Sequence, residues 1–173
     1  MHVATLATEH AHEYRRLMLN AYEQEADAFT STPEERAAEP DSWWLQRMAD
    51  PNGQGVAFGI FHEGELVGTV ALEFSNQTKT KHRAHIVAMY VSRTYRSGGM
   101  GRALIQAAIE YARSRSTIRL VTLSVTQGND VAINLYQACG FKQFGVEPMA
   151  ILTPSGYKAK VLMWREINEN TTS

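Results

Sequence analysis

Cysteine is nearly absent from this chain. Cys139 stands alone, which excludes an internal disulfide and any paired-thiol zinc spacing. No apolar run approaches the roughly 20 residues a membrane helix needs. The start, Met1-His2-Val3-Ala4-Thr5, lacks the basic and apolar regions of a secretion signal. Excess charge is missing as well: 17 Lys and Arg stand against 18 Asp and Glu, a net −1. Bulk electrostatics therefore offers nothing to nucleic acid or to an anionic membrane. Repeats, low-complexity segments and linkers are also lacking. The expectation is a cytoplasmic, metal-free protein folded as one domain over residues 1–173, with 168–173 as a frayed tail.

What is present begins with enough apolar residues, 44% of 173, to fill a sizeable core. The most informative stretch is Arg96-Ser97-Gly98-Gly99-Met100-Gly101-Arg102. An apolar, β-branched run, Ile86 to Val91, precedes it, and Ala103, Leu104, Ala107, Ala108 and Tyr111 follow at helical spacing. A strand turning through glycines into a helix start presents free N–H groups at the positive end of the helix dipole, a site suited to phosphate. A P-loop would need Gly-Lys-Ser or Gly-Lys-Thr where Gly101-Arg102-Ala103 stands. A dinucleotide-binding Rossmann unit would carry the motif on its first strand and an acid on the next, and Leu120 to Thr126 has no carboxylate.

The rest of the chain supplies a regular series of elements. Val3 to Leu6 reads as a strand, Glu9 to Glu25 as a helix with Tyr14, Leu17, Met18 and Ala21 on one face, and Thr32-Pro33-Glu34-Glu35 as a capping box. Asp41-Ser42 caps a further helical stretch from Trp43 to Met48. Phe29, Trp43 and Trp44 either wall a pocket or plug the core, the second being the ordinary role of such residues. Gly55 to Phe61 and Leu66 to Phe74 form a hairpin around Glu63-Gly64. Ser75 to Arg83 reads as a solvated turn, although Lys79, Lys81, His82 and Arg83 have the charge to meet a phosphate or carboxylate. Strands at Ala84 to Val91 and Ile118 to Thr126 flank a helix ending near Arg115. Lys142 to Val146 and Tyr157 to Trp164 read as a closing pair.

A second motif lies at Asn129-Asp130-Val131-Ala132-Ile133-Asn134-Leu135-Tyr136-Gln137-Ala138-Cys139-Gly140-Phe141. Asn129 suits an N-cap and Gly140 a helix C-terminus with positive φ. With the Arg-x-x-Gly-x-Gly turn before it, this segment resembles the GCN5-related N-acetyltransferase (GNAT) superfamily. The resemblance implies an α/β (α+β) fold: a mixed, mostly antiparallel central sheet of about seven strands, strands four and five splayed, helices on both faces. It implies acetyl-CoA as co-substrate, with no metal, and direct transfer of acetyl to a primary amine.

Carried over by residue, the resemblance places the pantetheine arm on main-chain groups of Met89, Tyr90 and Val91. The diphosphate falls on Arg96, Ser97, Gly98, Gly99, Met100, Gly101 and Arg102. Asn129 and Asn134 become further cofactor contacts. Tyr136 would sit at the sulfur and protonate the thiolate, taking ordinary pKa values for both. Many relatives carry a glutamate early in strand four, near Ala84-His85 here. His85 is therefore one candidate base, set evenly against a half-buried strand histidine without a role, and Glu147 is the other. A small-molecule amine acceptor leads, with a protein N-terminus or lysine, or a non-catalytic acyl-CoA sensor, as alternatives. A homodimer through a strand edge or the C-terminal strands stays open.

Overall fold

The computed structural model describes residues 1–167; the expected frayed tail, 168–173, lies outside the described residues. Seven strands form one sheet in the order β1-β2-β3-β4-β5-β7-β6. They run β1 (His2–Thr5), β2 (Gly55–His62), β3 (Glu65–Phe74), β4 (Arg83–Val91), β5 (Leu120–Thr126), β6 (Lys142–Thr153) and β7 (Gly156–Glu166). Among the described residues five α-helices accompany them: α1 (Ala11–Gln24), α2 (Pro33–Ala37), α3 (Asp41–Ala49), α4 (Met100–Ser114) and α5 (Asp130–Ala138). All neighbouring pairs are antiparallel except β4 with β5. The expected seven-stranded mixed sheet is what the chain builds.

The helices divide between the two faces, and each face has its own core. On one, α4 buries Leu104, Ile105, Ala108, Ile109 and Ala112 against Val56, Phe58, Val70 and Leu72 of the central strands. Gln106, Glu110 and Arg113 stay on the solvent side of α4, so the apolar stripe alone sets how the helix lies. On the other face, Tyr14, Leu17, Met18 and Ala21 of α1 pack with Trp44 and Met48 of α3 over Ala57, Ala71 and Tyr90. β2 and β3 are covered on both sides, which is why they read as nearly continuous apolar runs rather than clean alternations.

Local signals are borne out closely at the turns and caps. The Thr32–Glu35 capping box closes with Glu35 N–H donating to Thr32 Oγ1 at 3.1 Å and Thr32 N–H to Glu35 Oε2 at 2.9 Å. Asn129 Oδ1 accepts from Ala132 N–H at 3.3 Å, and Gly140 follows α5 with φ +89°. α3 begins at Asp41 itself with Pro40 in the cap position, so no side chain of the Asp41-Ser42 pair caps it.

One boundary is corrected. β6 does not stop at Val146 but runs to Thr153. Its register slips between Gln143 and Gly145 and again between Glu147 and Ile151. Pro148 falls inside the second slip, where a missing N–H costs no ladder bond, and pairing resumes at Ile151.

The packing of α4 carries a direct expectation. Leu104 is fully buried at the centre of that face. Leu104→Ala should therefore lower unfolding stability by about 3 kcal/mol, while Val131→Ala on exposed ground should change it by less than about 0.5 kcal/mol. Urea denaturation of the two variants checks this.

Candidate active site

The site begins where two neighbouring strands part. β4 and β5 pair only through Arg83 with Leu120, Ala84 with Val121 and His85 with Thr122. Beyond those three pairs β4 continues to Val91 and β5 to Thr126 without meeting. The edge is widened by a bulge: Ala88 and Met89 of β4 stand opposite the single residue Val70 of β3, and Ala88 takes φ +52°. An alanine held at positive φ is a sparsely populated conformation that the surrounding sheet must impose. No sequence signal marked it, because nothing in Ala-Met distinguishes a bulge from a continuing strand.

A cavity of about 810 Å³ occupies this split. His85, Met89, Tyr90, Val91, Arg96, Ser97, Gly99, Met100, Gly101, Arg102, Asn129 and Tyr136 all contribute to its wall. Residues named from two separated motifs are thus brought together. Three named residues are not in the wall. Gly98 is passed over by the turn; Asn134 is on the exposed side of α5, about two residues' rotation from Tyr136. Glu147 is exposed on β6, opposite Lys160 in the register, so β7 stands between it and the split. Lys79, Lys81, His82 and Arg83 are absent from the wall too, in keeping with a solvated turn.

At one end of the cavity the glycine turn opens α4. Ser97 and Gly99 both take positive φ, +72° and +78°. Gly99 is the helix N-cap, and the first amide used within the helix geometry is that of Ala103, donating to Gly99 C=O at 3.0 Å. The amides of Met100, Gly101 and Arg102 precede it and have no intrahelical acceptor. A Cβ on Gly101 would stand 3.0 Å from Leu135 Cδ2 and 3.3 Å from Met89 Cε. Its absence therefore lets the helix start approach α5 and β4. Arg96 braces the turn rather than reaching into it: its Nε donates to Val91 C=O at 2.9 Å and its Nη2 to Glu25 Oε1 at 2.9 Å. Arg93 Nε donates to the same Glu25 oxygen at 3.0 Å. Burial alone would raise the Glu25 pKa, but these two guanidiniums outweigh it and hold the carboxyl below its usual range.

In the middle, Tyr136 is buried on α5 beside Phe141, with ring centroids 6.0 Å apart. Desolvation, with a smaller push from the Cys139 thiol, drives its phenol well above the ordinary value. That corrects the expectation of an unperturbed tyrosine: the hydroxyl stays protonated and is a weaker acid than assumed. His85 is half-buried, and its Nδ1 lies 2.8 Å from Thr122 Oγ1, leaving Nε2 outside that bond. Burial lowers its pKa; Glu73 opposes this, while Arg83, Lys160 and Arg47 add to it. The imidazole is thus kept neutral near neutral pH.

The far end was largely illegible in the sequence. It is made by Tyr22, Phe29, Thr30, Ser31, Arg36, Arg47 and Lys160. Only Phe29 had been singled out; of the other two aromatic candidates, Trp44 is core at 1% exposure and Trp43 lies beneath the arginines rather than in the wall. The loop that carries Phe29 is pinned to the sheet by Thr126 Oγ1–H donating to Asp27 C=O at 2.7 Å and by Lys158 Nζ to Asp27 Oδ2 at 2.9 Å.

Known proteins resemble the chain in sequence and in fold. The family model described as "Acetyltransferase (GNAT) family" matches residues 12–141. Streptothricin acetyltransferase of Escherichia coli is 34% identical over 98 residues, covering 57% of this chain and 53% of that protein. An N-alpha-acetyltransferase of Sulfurisphaera tokodaii is 34% identical over 91 residues, covering 49% and 54%. The chain spans about half the length of these curated relatives. Among solved structures, yncA from Salmonella typhimurium, determined with its cofactor acetyl-CoA, superposes with a TM-score of 0.82 at 15% identity, covering 100% of this chain and 97% of that one.

The neutral, buried state of His85 has a consequence for stability. Its depressed folded pKa contributes stability that is full above the unfolded value near 6.5 and is lost as pH falls through the folded value. Between about pH 7 and about pH 5 the melting temperature of the wild type should fall more steeply than that of His85→Gln. Parallel curves would show that His85 is not held neutral.

Proposed function

Because the chain belongs to the GNAT acetyltransferase family, we propose that it binds acetyl-CoA in the β4–β5 split and transfers the acetyl group directly to a primary amine. The observation that carries this reading is the split itself: three parallel pairs, then an open seam that runs past the glycine turn and the buried Tyr136.

In this reading the diphosphate rests on the unused amides of Met100, Gly101 and Arg102, with those of Ser97 and Gly99 beside them. The pantetheine arm lies along β4 as an added strand, using main-chain groups near Met89 and Tyr90 that the bulge turns away from the ladder. The Val91 carbonyl already accepts one hydrogen bond from Arg96. Asn129 spends one oxygen on its helix cap and keeps its amide nitrogen for the arm.

The amine nitrogen attacks the thioester carbon; the N–C bond forms as the C–S bond breaks. The proton released from the amine goes to His85 Nε2, directly or through water, and the departing thiolate accepts a hydrogen bond from the Tyr136 hydroxyl. Glu147, exposed on β6 with β5 and β7 between it and the seam, is set aside as the base. Ser97 has no histidine partner in the wall near it and forms no acyl intermediate. A small-molecule acceptor suits the walled aromatic end formed by Tyr22 and Phe29, whose rings meet edge to face at 5.0 Å. Self-association is assigned to the β6 edge, where Phe144, Val146, Met149 and Leu152 are exposed.

Thiol release from acetyl-CoA with free amines and with peptides tests the reading. Turnover of free amines supports it; turnover of peptides alone moves the acceptor to protein N-termini or lysines; tight CoA binding without turnover makes the chain a sensor. Tyr136→Phe should lower kcat by about 100-fold, the low end of what a positioned proton donor contributes, with the KM for acetyl-CoA little changed. The acid limb of the activity profile should also lie below pH 6.5, since burial lowers the pKa of the base from that value.

A further inference from the structure

We propose that the amine acceptor carries a carboxylate, and that Arg36 holds it with Arg47 beside it. This inference rests on the acetyl-transfer reading above and names the class of acceptor.

The argument starts from how Arg36 is placed. α2 is only one turn and a half long, but its start is set by Pro33 and the reciprocal Thr32–Glu35 hydrogen bonds. That start fixes Arg36, whose amide donates to Thr32 C=O at 3.2 Å. The guanidinium then lies over Trp43, 4.2 Å from the ring centroid, and 5.9 Å from that of Tyr22. Arg47 approaches the same indole at 5.0 Å. Two planar cations of the wall are thus gathered on one aromatic ring that lies beneath it.

The two arginines are not equally engaged. Arg47 is paired with Glu73, Nη2 to Oε1 at 3.2 Å. Arg36 reaches its carboxylate partner, Glu39, only at 3.9 Å, and its Nε is buried with no hydrogen-bond partner among the described residues. Buried donors on a charged group are ordinarily satisfied, and the side chain that lacks an acceptor at Nε and a close carboxylate partner is one that lines the cavity. A fork of N–H donors stacked on an aromatic face is matched by a carboxylate, which accepts in the same plane.

The remaining charges in the wall point the same way. Lys160 Nζ donates to the neutral Thr30 hydroxyl. Among the described residues of the wall, Glu25 is the one carboxylate, and Arg93 and Arg96 already share it at the other end. The acceptor end therefore holds three cations and no free anion. A polyamine entering there would meet like charge at every turn. An amine with a carboxylate a few bonds away is complementary: the acid on Arg36, the nitrogen toward the neutral His85. The cations Arg47 and Lys160 also help hold that imidazole in its base form, after burial.

Thiol-release kinetics with acetyl-CoA and the twenty L-amino acids, their carboxamides and spermidine test the proposal. At least one free amino acid should exceed its own carboxamide by roughly 10- to 100-fold in kcat/KM, the worth of a charge-assisted hydrogen-bond pair, with spermidine poorest. Arg36→Gln should raise the KM for that amino acid by a similar factor while kcat moves little, collapsing the acid-over-amide preference. Arg36→Lys should recover part of it. A matching melting temperature for the Gln variant keeps a folding defect apart from a recognition defect. Equal use of acid and amide, preference for spermidine, or an acid-over-amide preference indifferent to Arg36→Gln each overturns the proposal. Calorimetric binding of acetyl-CoA with no acceptor turned over also overturns it while leaving the cofactor reading intact; failure to bind acetyl-CoA overturns the reading beneath it.

Discussion

A parallel contact that lasts three residues governs this molecule. β4 is committed along its length to β3, and β5 is committed across all seven of its residues to β7. Each half-sheet twists with its own partner, and the seam between them opens after His85 and Thr122. Main-chain groups along such a seam are in the position of an edge strand, with donors and acceptors left for whatever lies between. The bulge at Ala88 and Met89 adds to this by rotating part of β4 out of its ladder with β3. Two half-sheets that closed fully would leave neither cavity nor free backbone.

The helices then give the seam its direction. α4 brings a positive end and unpaired amides to one mouth; α1, α2, α3 and the pinned loop after α1 bring aromatic rings and guanidiniums to the other. Arg93 and Arg96 tie the two regions through Glu25, so the carboxylate that stands between them is a strut in the wall. With that acid engaged, cations and unpaired amides dominate both ends of the cavity, which is what the proposed diphosphate and carboxylate contacts rest on. Between them sit two groups whose titration is shifted mainly by burial, a phenol kept protonated and an imidazole kept neutral. In the proposed reaction the donor and acceptor of protons would thus hold complementary states at the same pH.

What could be read without coordinates was whatever the chain states within a few residues. The glycine turn, the Thr32–Glu35 box, the Asn129 cap and Gly140 each answer to a local demand of backbone angle or unpaired amide, so each is written where it acts. Those same segments resemble a known family and carried the fold with them. Element order, the two-faced burial and the parted strands followed from that.

The acceptor end was decided by tertiary structure alone. Tyr22, Arg36, Arg47 and Lys160 come from four separate elements, and nothing near any of them in the chain announces the others. Asn134 and Glu147 show the converse: both have suitable chemistry, and helix rotation and strand order keep both out of the wall. The sequence by itself carried the resemblance to the family, the glycine turn before α4 and the cap that starts the helix of Tyr136, because such motifs and caps are written within a few residues. Which charges meet, which carboxylates are already paired and how far burial moves a phenol or an imidazole depend on register, bulges and packing. Those are properties of the folded sheet and exist only once its strands have found one another.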